Sequence, residues 1–178
     1  MPKIIYMSNS VDFEDDLYKA SSNVIVTWSN KYETGIDLID NQHKELVILT
    51  NALYNACLDG KEQTDNVFKK AMGKMVDYVK YHFSMELVML KNIKYPGYNE
   101  HKKQHDSLIE NILAAAKEYG TGKQFVPNNF VRTLRDWVFG HIAVYDKAYS
   151  IYICDQKRKG LLFDEQINTD SPGLAVNS

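Results

Sequence analysis

YNEHKKQHDSLIENILAAAKEY, residues 98–119, carries both the architecture and the chemistry of this chain in one stretch. Tyr98, His101, His105, Leu108, Ile112 and Ala115 fall on one helical stripe. Two residues four apart on a helix lie one turn apart on the same face, so His101 and His105 aim their imidazoles at one spot. Gly120 follows as a natural helix stop, and Gly122 suits the loop after it.

Three further segments repeat the pattern. The first spans about residues 39–58, with Ile39, His43, Leu46, Val47, Leu53 and Tyr54 at helical spacing and a turn at Asp59-Gly60. Asp40 or Asp37 is suited to cap its start. The second spans about residues 64–91, with Thr64 as cap, Asp65 in the first turn and a stripe of Met75, Tyr78, His82, Met85, Glu86 and Met89. Gly73 inside it costs about 1 kcal/mol relative to alanine, which points to a close helix contact there. Lys94-Tyr-Pro-Gly97 forces a turn. The fourth starts near Pro127-Asn128 and runs to about Ile153, with a stripe of Phe130, Leu134, Trp137, Val138, His141, Val144 and Tyr145.

Four long helices joined by short loops predict an all-α, antiparallel up-down-up-down four-helix bundle. Residues 28–158 form the bundle, 1–27 an N-terminal arm and 159–178 a polar C-terminal tail that frays. Residues 24–28 are expected to be briefly extended.

Composition excludes several classes. The 178 residues favour one domain, 44% are hydrophobic, and the net charge is -2 with no basic block, so nucleic-acid binding has little electrostatic support. No stretch approaches the roughly 18 apolar residues of a membrane span. The opening MPKIIYMSNSVDFEDD turns acidic too soon for a signal or transit peptide. Cys57 and Cys154 form no CxxC and read as free thiols. A cytoplasmic location is expected.

The five histidines are His43, His82, His101, His105 and His141. His82 and Glu86 are four apart, like His101 and His105. His43 and His141 lie on the apolar stripes of their own helices, and in a bundle these stripes converge. Five imidazoles in one core without a metal would need many hydrogen-bond acceptors. With Glu86 and Asp146 they exceed the four ligands of a closed zinc site. Carboxylates bridge cations readily, so the set can serve two metals, His101, His105 and His141 at one and His43 and His82 at the other. The second metal is then left with an open position.

Asp146 sits five residues after His141, which on a regular helix is some 140° off its face. The spacing therefore predicts a local distortion between them, a π-bulge or a helix break. Mixed nitrogen and oxygen ligation with two bridges suits iron. A ligand set rich in neutral imidazole disfavours high-valent iron and favours a ferrous pair that takes up O2 and releases it again.

These residues resemble the hemerythrins, and among them the single-domain bacteriohemerythrins. The resemblance covers about residues 28–149. It includes Trp28-x3-Tyr32-x2-Gly35-Ile36-x2-Ile39-Asp40-x-Gln42-His43, His82-Phe83-x2-Glu86, Tyr95-Pro96, His101-x3-His105 and Trp137-x3-His141-Ile142-x3-Asp146. Myohemerythrin is itself an up-down bundle, so the resemblance implies the same fold. It implies two iron ions with an oxo or hydroxo bridge. His101, His105 and His141 would hold the saturated iron, His43 and His82 the iron that binds O2, and Glu86 and Asp146 would bridge. Phe83, Trp137, Val138 and Ile142 would line the O2 pocket.

The partners implied are O2, with nitric oxide and peroxide as related small ligands, and neither nucleic acid nor membrane. The resemblance implies a non-enzymatic carrier, store or sensor. The alternative is a di-iron oxidase, peroxide or nitric oxide reductase, or ferroxidase. Two positions depart from many bacterial members: Met85 stands where they have glutamate, and Val138 where they have leucine. The smaller Val138 is expected to ease water access. Gln42, Asp106 and Asp136 are the nearby candidates for binding the outer N–H groups of the histidines.

Overall fold

The structure, a computed structural model, describes residues 23–58, 61–121 and 127–167. Residues 1–22 of the arm, the turn at Asp59-Gly60, Gly122 and the tail after residue 167 lie outside them. Four helical columns are present: α1 (Asp37–Leu58), α2 (Lys61–Asn92), α3 (Tyr98–Gly120), and a fourth made of α4 (Pro127–His141), a π segment (Ile142–Asp146) and α5 (Lys147–Arg158). A short 3-10 turn (Asn30–Tyr32) precedes them and a one-turn helix α6 (Asp164–Ile167) follows. Helix α1 packs on α2 and α4, and α3 packs on the same two, which closes the four-helix square.

Local chemistry explains the ends of these helices. Asp37 is the first residue of α1 and favours the positive end of its dipole. Asp40 does not cap the helix. Its carboxylate faces back, accepting hydrogen bonds from the Thr34 N–H at 2.7 Å, the Thr34 hydroxyl at 2.8 Å and the Gly35 N–H at 3.0 Å. It thus fixes the turn in which Gly35 takes φ +78°. Helix α2 starts at Lys61, so Thr64 lies inside it rather than at its cap.

Lys94 adopts a left-handed φ of 52°, and the Tyr95 N–H closes back onto the Leu90 carbonyl at 2.9 Å, which ends α2 in a Schellman turn. A Cβ on Gly97 would meet the Tyr95 ring at 2.7 Å, so the start of α3 requires glycine there. Gly73 differs from expectation: it is exposed, and nothing lies within 4 Å of where its Cβ would be.

The core has two parts. One cluster joins Leu46, Leu53, Phe68, Met75, Val79, Phe83, Leu108, Ile112, Leu134, Val138 and Ile142. The other joins Ile39, Met89, Leu90, Ile93, Tyr149, Ile153, Leu162 and Ile167. Along α2, His82 and Glu86 fall between Val79 of the first cluster and Met89 of the second. The polar belt is therefore sealed at both ends by hydrocarbon.

Leu162 and Ile167 are buried in the second cluster, and α6 packs against α2. The chain thus stays packed past Lys159, where fraying was expected. Residues 24–28 form no strand but run as an irregular segment along α1.

Candidate metal centre

All four helical columns send a ligand-type side chain inward. His43 comes from α1, His82 and Glu86 from α2, His101 and His105 from α3, and His141 and Asp146 from the two ends of the π segment. Each is at most 4% exposed. The π segment solves the spacing problem. A π turn closes over five residues instead of four, and the Lys147 N–H reaches the Ile142 carbonyl. Asp146 is thereby brought back over His141, with its Oδ1 3.1 Å from the His141 Nε2. The same adjustment turns Val144 outward, where it is 60% exposed rather than part of the inner stripe.

The Nε2 atoms converge. Those of His101 and His105 lie 3.0 and 3.1 Å from Glu86 Oε2, and those of His105 and His141 lie 3.0 Å from each other. On the other side, His43 Nε2 is 3.1 Å from Asp146 Oδ2, and the His43 and His82 rings meet edge to face at 5.0 Å. Asp146 thus offers one oxygen to each histidine group. Ligand atoms of Glu86, His101, His105 and His141 gather within 4.8 Å of one another, and so do those of His43, His82 and Glu86.

This donor set fits bound cations. The His43 Nε2 and both Asp146 oxygens are buried and close together, yet none makes a hydrogen bond. The Nε2 atoms of His105 and His141 face each other at 3.0 Å as a hydrogen-bonded pair.

Hydrogen bonds behind the ligands fix their orientation. The His82 Nδ1 is 2.9 Å from the Gln42 Oε1, which leaves Nε2 free to face the site. Of the three candidates for this role, only Gln42 fills it. Asp106 pairs with Lys102, and Asp136 with Arg135, both on the exterior. The Tyr149 hydroxyl, fully buried, donates to Glu86 Oε1 at 2.5 Å. This residue was missed in the sequence. Its only signal was its position three residues past Asp146, one helical turn along the same face.

Aromatic rings wall the site. Phe83 stacks on His105 with centroids 3.5 Å apart and planes 2° from parallel. Trp137 and Tyr145 stack on His141 at 4.5 and 5.3 Å. Phe83, Val138 and Ile142 are buried together in the first cluster, and the half-buried Trp137 packs against it.

In the metal-free protein, electrostatics divide the ligands. Burial pushes His82 down to about 3 and His105 down to about 4, so both stay neutral and able to ligate. Burial also opposes charge on His43 and His101, but the Asp146 carboxylate beside one and Glu86 beside the other outweigh it, and both are raised. The two carboxylates are held below their usual range by the histidines around them, despite burial. Burial, followed by the neighbouring carboxylates, drives Tyr149 well above the usual phenol range, so it keeps its proton. Outside the site, burial raises the half-buried Cys57 thiol to about 12, so it is inert, and Cys154 is an exposed free thiol.

The sequence matches the hemerythrin HHE cation binding domain over residues 34–150. It is similar to the bacteriohemerythrin of Pseudomonas aeruginosa, with 31% identity over 124 residues, covering 70% of this chain and 78% of that one. The bacteriohemerythrin of Methylococcus capsulatus is 28% identical over 126 residues, with coverage of 70% and 94%. Hemerythrin subunit 1 of Golfingia vulgaris is 27% identical over 122 residues, with coverage of 68% and 88%. The crystal structure of a wild-type hemerythrin superimposes with a TM-score of 0.66 at 28% identity, covering 71% of this chain and 95% of that one. The family match covers about two thirds of the sequence and includes all seven converging side chains: this chain belongs to the hemerythrin family.

Proposed function

We propose that this protein binds O2 reversibly at a pair of non-haem iron ions and acts as a carrier, store or sensor of oxygen rather than as an enzyme. The observation that carries this reading is the inequality of the two donor groups around shared carboxylates. His101, His105 and His141 would saturate one iron. His43 and His82 would leave the other an open position. Glu86 and Asp146 would bridge, with an oxo or hydroxo group completing the bridge. The iron pair, when bound, supplies the electrons that O2 takes up and returns.

The chain's own residues do the rest. Gln42 holds His82 in the tautomer that turns its Nε2 inward. The Tyr149 hydroxyl donates a hydrogen bond to Glu86 Oε1 and keeps its proton, which holds the carboxylate in place. Phe83, which reaches both His105 and His82, would with Val138 and Ile142 exclude water and free protons from the site, which keeps uptake reversible. Five neutral ligands against two anionic ones leave the site positively charged, which favours release over further oxidation.

The test is to prepare the ferrous protein without air, add O2 and then remove it. A colour change that reverses on removal supports the carrier. Stable ferric protein after one exposure, or sustained turnover of O2, peroxide or nitric oxide with an added reductant, supports a di-iron enzyme.

A further inference from the structure

The segment before the bundle is anchored to α1 by side chains rather than by regular structure. The Asn51 Oδ1 accepts hydrogen bonds from the Ile25 and Val26 N–H groups at 3.0 and 3.1 Å, and its Nδ2 donates to the Val26 carbonyl at 2.9 Å. One turn further along, the Asn55 Oδ1 accepts from the Asn23 N–H at 3.2 Å and its Nδ2 donates to the Asn23 carbonyl at 2.8 Å. Each carboxamide pairs with backbone as a neighbouring strand would.

Register gives this clamp its meaning. Asn51 and Asn55 lie one turn and about 40° apart on α1, and His43 lies two and three turns back, about 80° and about 120° round from them, so the row from Asn55 to His43 winds obliquely across the helix. The segment runs antiparallel to that row. Asn23 sits at Asn55, residues 25 and 26 at Asn51, and Trp28 arrives at His43 with ring centroids 6.4 Å apart. Lys44 Nζ lies 5.7 Å above the Trp28 ring, and Tyr32 continues across to Phe139 on α4 at 4.7 Å. The half-buried indole thus covers the outer side of a histidine that is itself fully buried.

We propose that Asn51 and Asn55 are positioning residues for the O2-binding half of the site, holding Trp28 closed over His43 and so limiting access of water and small anions. This rests on the reading that His43 and His82 hold the iron with the open position. The asparagines touch no ligand. They act through the register of six residues, and a slip by one would turn Trp28 away from His43.

The experiment has two readouts. In a Trp137→Phe background, Trp28 is the only tryptophan, and acrylamide quenching of the metal-free protein reports its exposure. In the ferric, iron-loaded protein, stopped-flow mixing with azide reports access to the open iron. Asn51→Leu and Asn55→Leu are expected to increase quenching and to speed azide binding about tenfold. Trp28→Ala should match that rate, with no further gain when combined with Asn51→Leu. Asn51→Asp keeps the acceptor for both N–H groups and should stay near the parent rate, which separates the clamp from general loosening. Unchanged quenching overturns the proposal, as does increased quenching with an unchanged azide rate, and either leaves the O2 reading standing. A parent ferric protein that takes up no azide removes the open iron and this proposal with it.

Discussion

Val138 lies buried with Phe83, which stacks on His105, and with Ile142, and it is a single methylene short of leucine. If this wall lines the O2 pocket as proposed, a larger side chain at Val138 would exclude water more completely. Val138→Leu is therefore expected to slow autoxidation of the O2-loaded protein several-fold, and an unchanged or faster rate would count against the pocket assignment. Tyr149 makes a different contribution. Its hydrogen bond to Glu86 is buried and charge-assisted, so Tyr149→Phe should cost about 2 kcal/mol, read by urea unfolding of the metal-free protein. A loss near zero would mean that Glu86 finds another donor. The converging side chains were legible from spacing because four-residue steps on a helix are a one-dimensional signal. Tyr149, the partners of Asp40 and the asparagine clamp were not, since each depends on which atom faces which across a turn or across 32 residues.

At the scale of elements, the stripes predicted four helices, and their periodicity made them readable without coordinates. The boundaries moved where backbone chemistry decides: Lys61 rather than Thr64 starts α2, and Asp40 fastens a loop instead of capping α1. The π segment was foreseeable because one pair of candidate ligands, His141 and Asp146, had the wrong spacing for an α-helix. It behaves as a one-residue insertion. Deleting the exposed Ala143 should restore a regular helix with His141 and Asp146 four apart, still facing the same point, and should leave two irons per chain. Inserting an alanine after Ala143 should swing Asp146 by about 100° and lower the iron content. Equal iron content in the two variants, measured by metal analysis, would show that the register of Asp146 does not matter.

For the whole molecule, the buried belt makes stability depend on pH. His82 and His105 stay neutral in the metal-free fold down to about 3 and about 4, whereas the unfolded chain protonates near 6.5. The unfolded state then binds more protons, so stability falls as pH drops below 6.5. Each of these two groups removes up to about 1.4 kcal/mol per pH unit. His43 and His101, shifted upward, are protonated in both states there and add no slope in that window. Their contribution is present below 6.5 and is lost as pH rises through their raised values. The lowered Glu86 and Asp146 add their own losses only below the ordinary carboxylate range. Thermal unfolding of the metal-free protein between pH 6.5 and 5 should therefore show a falling midpoint, and His82→Gln should flatten the slope. A flat wild-type profile would contradict the buried, neutral state of these rings.

Two irons of unequal coordination should serve one O2. Gas uptake by the anaerobic ferrous protein, measured alongside iron analysis, tests this most directly. Two irons per chain, one O2 absorbed per iron pair, and full recovery of that O2 under vacuum with the iron ferrous again over repeated cycles are expected. One iron per chain, or O2 consumed without recovery as the iron turns ferric, would contradict this.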